Sequence, residues 1–234
     1  MYCPHEHLED VEDSIILWKY MNFSKFVALL VAEGLWFSRL DRFEDVFEGR
    51  YPAANKKLRP DVYGDVLIPQ EIYDATEKMR YLLFVSCFHV NNYESSAMWS
   101  LYSKDEGIAI QTTAKLLKES FLHETRNIYL TKVNYIDYEN EFMPEGNIMY
   151  LATHKRKSFE HEKEVRCIYN NPLTNPTEKG GFGFSAKMDL NKLIQKVYIS
   201  PFAQSFIEQI ITNLLHKFNL SANVISSKLY TLTK

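Results

Sequence analysis

The chain is short of several things that would have named a class at once. It has no apolar run long enough to span a bilayer, and its polar, acidic start, "MYCPHEHLEDVEDS", lacks the basic residues and apolar stretch of a signal peptide. Its three cysteines, Cys3, Cys87 and Cys167, are scattered without paired spacing, which argues against a disulfide scaffold and for a reducing compartment. A cytoplasmic protein with no membrane partner is the expectation. No Asp or Glu is followed two residues later by Lys, so the acid-x-lysine element of restriction-type nucleases is missing. "EKGGFGFS" lacks the Lys-Ser/Thr ending of a phosphate loop, and no Gly-x-Ser-x-Gly elbow is present. His89, His154 and His161 never fall into ligand spacing, and Cys3, His5 and His7 lie in a segment expected to be a flexible tail, so no metal is expected. A net charge of −3 gives no overall pull toward nucleic acid or anionic lipid.

What is present is ordinary for a globular chain: 46% hydrophobic residues in 234, enough to build one core. The expected organisation is a single α+β domain over 1–234, with residues 1–13 as a flexible tail and 53–80 as a surface helical insertion. "IILWKYM" reads as a first strand and "NFSKFVALLVAEG" as a helix, capped by Asn22 or Ser24 and ended by Gly34. "LWFSRL", "YLLFVSCFHV", "GIAIQTT" and "YLTKVNYIDY" read as strands. "SSAMWSLYSKDEG", "AKLLKESFL" and "IMYLATHKRKSF" read as helical. "DRFEDVFEGRYP" reads as an ordered loop in which Asp45 and Glu48 could coordinate a partner or cap the following turn, the structural reading being preferred. Near the end, "KVYISP", a helix with Ile207, Ile210, Ile211, Leu214, Leu215 and Phe218 on one stripe, and "ANVISS" make a βαβ-like unit.

The most informative stretch is "SFEHEKEVRCIY", Ser158 to Tyr169. Read as extended chain, it puts Glu162 and Glu164 on one face, either as a solvated edge or as two carboxylates working together. Glu164 and Arg166 share that face too, and an ion pair between them is the plainer alternative.

Seven pieces in this order, "LWKY", "FSRLDRFEDVFEG", "FVSCFH", "MWSLY", "GIAI", "KSFEHEKEVR" and "VYISP", resemble a bacterial family described only as domain of unknown function 2971. The chain departs from that pattern in its loop, where an Asn-Asp-Pro-Phe-Glu type motif is usual, and at Phe159, where Trp is common. More remotely, the order of elements is similar to the ADP-ribosyltransferase superfamily, whose layout is a split central sheet with flanking helices. That resemblance implies cleavage of NAD and transfer to a macromolecular acceptor. Glu164 would be the catalytic glutamate, Glu162 its auxiliary acid and Ser86 the middle-strand element. Lys19 and Tyr20 stand where the first strand should supply Arg or His. Lys19 or Arg39 would hold pyrophosphate oxygens, and Trp99 with Tyr102 would stack on a flat ring, or else serve the core. Toxin and phage-defence roles are common among proteins resembling this superfamily. The alternative is a transferase-like module that binds a nucleotide or a protein without turnover.

Overall fold

The computed structural model of the protein describes residues 1–64, 75, 77–102, 106–172 and 181–232. In chain order the elements begin with β1 (Ile16–Asn22), α1 (Phe23–Ala32), β2 (Gly34–Arg39), α2 (Ala53–Tyr63), β3 (Leu83–Val90), α3 (Ser96–Tyr102), β4 (Gly107–Thr113) and α4 (Ala114–Ser120). They continue with β5 (Tyr129–Lys132), β6 (Asn134–Ile136), α5 (Tyr150–Thr153), β7 (His154–Arg156), β8 (Glu164–Asn170) and β9 (Gly183–Lys187). The last are α6 (Leu190–Leu193), β10 (Lys196–Ile199), α7 (Phe206–Lys217) and β11 (Asn223–Ser226).

Strand alternation builds two covered faces. β1 sends Leu17 and Met21 into one core and Trp18 and Tyr20 into another, as a strand buried on both sides must. The first core also takes Phe26 and Leu30 of α1, Leu117 of α4 and Ile207, Ile211 and Leu215 of α7. On the opposite face Trp18 and Tyr20 meet Met98 and Trp99 of α3, and Leu83, Val85 and Ile168 meet Met143, Met149 and Leu151. The result is a large mixed sheet with flanking helices. Its order is β11-β10-β4-β1-β3-β2-β9, with β8 on β3 and β5 on β8. β10 and β11 run parallel, joined through α7, so the βαβ-like end is present.

β3 is where the sheet forks. β8 follows it from Leu83↔Asn170 to His89↔Glu164. On its other edge β1 takes one end (Trp18↔His89, Leu17↔Val90) and β2 the other (Ser38↔Val85, Arg39↔Phe84). Between these junctions the Cys87 carbonyl accepts a hydrogen bond from Lys19 Nζ at 3.0 Å. A side chain thus satisfies a buried backbone group that no strand reaches.

Several expectations need correcting. Residues 1–13 are docked along the start of β5. Tyr2 bridges Ile128, Cys3 N donates to the Ile128 carbonyl at 2.8 Å, and Val11 is fully buried. Val11, Tyr2 and Leu8 pack against the cores, and Glu9 and Asp10 pair with Lys132 and Lys118, which anchors a largely polar segment. In 53–80, α2 is a helix with one exposed face, as a surface element should have, and one anchored face: Ala54, Asn55 and Arg59 are buried, Asn55 Nδ2 donates to the Met143 carbonyl at 2.7 Å, and Arg59 pairs with Glu145. Residues 65–74 and 76 of that stretch, 103–105 of the "SKDEG" segment and 178–180 of "EKGGFGFS" lie outside the described residues. "IMYLATHKRKSF" holds only one helical turn, α5, before β7 pairs with β6 in a small parallel sheet. α1 ends at Glu33, which takes φ 46° and donates its N–H to the Leu29 and Leu30 carbonyls. Gly34 instead opens β2, where a Cβ would lie 2.4 Å from Ser185 Oγ and 2.5 Å from the Ala186 oxygen of β9. Among the described residues no helix is long and apolar enough to cross a membrane.

Because that contact is with backbone, Gly34→Ala should destabilise the protein by about 1–3 kcal/mol, the usual range for overpacking. Urea denaturation checks it, and an unchanged midpoint would contradict the close β2–β9 approach.

Candidate functional site

The motif that drew attention in the sequence folds into a buried ionic network. β8 starts at Glu164, so strand alternation places Glu164, Arg166 and Ile168 on one face. Glu162 reaches the same place by another route. It is the last residue of a 3-10 turn, Lys157–Glu162, and Lys163 with φ 42° turns the chain into the strand. The extended geometry expected for both carboxylates therefore holds only for Glu164. They still converge: Lys155 Nζ donates to Glu162 Oε2 at 2.5 Å and to Glu164 Oε1 at 2.7 Å.

Arg166 is the hub. Its Nε donates to Glu164 Oε2 at 2.8 Å and its Nη2 to Oε1 at 3.2 Å. Its Nη1 donates to Glu48 Oε1 at 2.6 Å and to the Ala152 carbonyl at 2.8 Å. Arg166 is 0% exposed, Glu48 2%, Glu162 5%, and Glu164 and Lys155 6%. The aromatic loop closes over it. Phe43 packs on the Arg166 guanidinium and Asp45 pairs with Arg156, which lies between the Phe47 and Phe159 rings. Asp45 also accepts from Phe47 N at 3.0 Å, the turn-capping contact expected there, whereas Glu48 is drawn into the ionic network.

Environment separates the two carboxyls. Burial alone would raise both. At Glu164 the Arg166 guanidinium outweighs it and holds the carboxyl well below the usual carboxylate range. At Glu162 burial and the neighbouring Glu164 carboxylate prevail, lifting it to about 7 despite Lys155. Lys155 is raised: burial opposes its charge, but Glu164 and Glu48 hold it. Glu162 is also the network's link toward solvent. The Tyr102 hydroxyl donates to its Oε1 at 3.0 Å, and Tyr102 is 47% exposed.

The other expected residues divide. Ser86 and Lys19 do meet, Nζ donating to Oγ at 3.0 Å, with the ammonium over the Phe88 ring. That pair lies on the opposite face of β3 from Glu164. Phe84 and Phe88, of the same parity as Ser86, belong to the helix-covered core, while Cys87 stands opposite Arg166 and feels the Glu164 charge. The middle-strand residues beside Glu164 are thus Cys87 and His89, not Ser86. This parity was readable, but the carried-over motif overrode it. From β1, Tyr20 faces this side. It packs against His89 and Trp99, and its hydroxyl accepts from Ser95 N at 2.9 Å. Trp99 is wholly buried in that cluster, so its ring offers no face for stacking. Arg39 is 3% exposed and pairs with Asp41 at 2.6 Å, which commits the guanidinium intended for pyrophosphate. Sequence reasoning missed Lys155, hidden in a stretch read as helix, and the Tyr135 hydroxyl, which accepts from Glu164 N at 2.8 Å.

Among the described residues no group of three His, Cys, Asp or Glu is arranged to hold a metal ion. No family model matches the chain, and no curated protein matches it.

Removing Arg166 leaves Glu164 and Glu48 buried without their main partner. Arg166→Met should lower unfolding stability by roughly 3–5 kcal/mol, read by urea denaturation. Glu162 has the opposite sign. Its folded carboxyl holds a proton that the unfolded chain releases above about 4.5, so stability should fall as pH rises from about 4.5 to about 7. Glu162→Gln should abolish that fall, melt higher than wild type at pH 7.5 and be more stable there by about 1–3 kcal/mol. Parallel pH profiles of melting temperature for the two proteins would refute this.

Proposed function

We propose that the protein is a nucleotide-binding module of ADP-ribosyltransferase-like layout, with NAD the ligand to try first, and that it does not turn NAD over. The remote resemblance in element order to the transferases supports the class. One observation carries the choice of module over enzyme: both oxygens of Glu164 are already taken by Lys155 and Arg166, and the carboxylate is 6% exposed. Breaking the nicotinamide–ribose bond develops positive charge on the sugar, and a carboxylate opposes that charge only if it can approach. Cations already in contact neutralise Glu164.

The residues present fit a nucleotide in part. Tyr102 offers a half-exposed ring at the open end of the network, whereas Glu162 behind it is 5% exposed and bonded at both oxygens, to Tyr102 and to Lys155. Trp99 and Arg39 are committed elsewhere. The Lys19–Ser86 pair lies across the sheet, so it does not extend this site.

A second reading, glycosyl transfer to a macromolecular acceptor, is favoured by Glu162. A carboxyl poised at about 7 and linked to an exposed tyrosine has the properties of a general acid or base. On that reading Glu162 handles the acceptor proton and Glu164 stabilises the sugar.

Calorimetric titration with NAD, with free nicotinamide assayed in the same samples, separates the two. The module reading expects saturable binding with no nicotinamide above the buffer control, and about tenfold weaker binding by Tyr102→Ala. Nicotinamide release that disappears in both Glu162→Gln and Glu164→Gln would establish the transferase instead. No binding at millimolar NAD would end the nucleotide reading.

A further inference from the structure

We infer that His89 is a positioning residue: its imidazole fixes the turn that carries Glu162 and so sets where the network's one solvent-linked carboxyl sits. His89 is 3% exposed at the end of β3. Its Nδ1 lies 2.6 Å from the Glu162 carbonyl oxygen, which can only accept, so Nδ1 carries the hydrogen. Nε2 is then a bare acceptor, buried with no hydrogen-bond partner among the described residues. Protonating it would place a donor where nothing accepts, which keeps the ring neutral and in one tautomer.

The turn it holds needs holding. Lys163 adopts φ 42°, a left-handed conformation that a lysine takes only under constraint. β3 grips it on both sides, His89 at the Glu162 carbonyl and Val90 N at the Lys163 carbonyl at 2.9 Å. This explains how Glu162, which is outside the strand, still meets Glu164 at one ammonium. The charged and titratable groups around Glu162 are Lys155 from β7, Glu164 from β8, Tyr102 from α3 and His89 from β3. Around His89 they are Tyr20 from β1 and, in its own turn, Lys163 and His161. The inference rests on Glu162 being the open end of the network, and not on NAD being the ligand.

The test follows the Glu162 carboxyl carbon by NMR in glutamate-labelled protein, its signal identified by loss in Glu162→Gln. Asn places an amide N–H where Nδ1–H stands, while Gln and Leu do not. His89→Asn should titrate within about half a unit of wild type. His89→Gln and His89→Leu should free the turn and lower the midpoint by a unit or more, a tenfold change in proton affinity. If either folded protein, Gln or Leu, titrates Glu162 as wild type does, the inference fails. It also fails if Asn shifts the midpoint as far as they do. NAD titration of the same variants keeps the two proposals apart: a shifted midpoint with no NAD binding by wild type leaves His89 standing and removes the nucleotide.

Discussion

The buried guanidinium of Arg166 is the constraint around which the rest of the site is arranged. A charge with no exposed surface must be met on several sides, and the chain does so with partners near and far: Glu164 from its own strand, the Ala152 carbonyl from α5 and Glu48 from the distant aromatic loop. Lys155 then joins Glu164 to Glu162. Three carboxylates face two cations, and the one whose carboxyl is lifted is Glu162, buried beside the Glu164 carboxylate. Its raised affinity for a proton follows from that imbalance together with burial.

The forked sheet determines which residues share this environment. Because β1 and β2 divide one edge of β3, the Cys87 carbonyl is left to Lys19, and the pair Lys19–Ser86 closes the fork from the helix-covered side. The other side carries Tyr20, Cys87, His89, Glu164 and Arg166. Strand parity is a strict divider here. A ligand that reached Tyr102 would approach from the second side and not the first, so a motif transferred by order along the chain can land on the wrong face.

Much of the fold was legible because it rests on local pattern. β1, β3, β4 and the β10–α7–β11 unit follow from apolar alternation, helical stripes and turn residues. The convergence of Glu162 and Glu164 was also foreseen, although the reason given, a continuous extended segment, was wrong from Glu162 to Lys163. What stayed hidden was long-range. Nothing in "THKRKSF" marks Lys155 as buried, since a lysine enters a core only when distant carboxylates await it. Gly34 was assigned to a helix end by its position after α1, whereas its reason lies in β9, far along the chain. Trp99 and Tyr102, three residues apart, looked like one platform, yet one ring is wholly buried and the other half exposed.

On the proposed reading a nucleotide is received at the Tyr102 end of the network, and Glu164 serves structure. Amide chemical-shift mapping of the isotope-labelled protein with NAD tests it most directly. The account predicts shifts at Tyr102, His89 and Glu162 through Glu164, with Lys19 and Ser86 little affected. Shifts centred on Lys19 and Ser86, or none at saturating NAD, would contradict it.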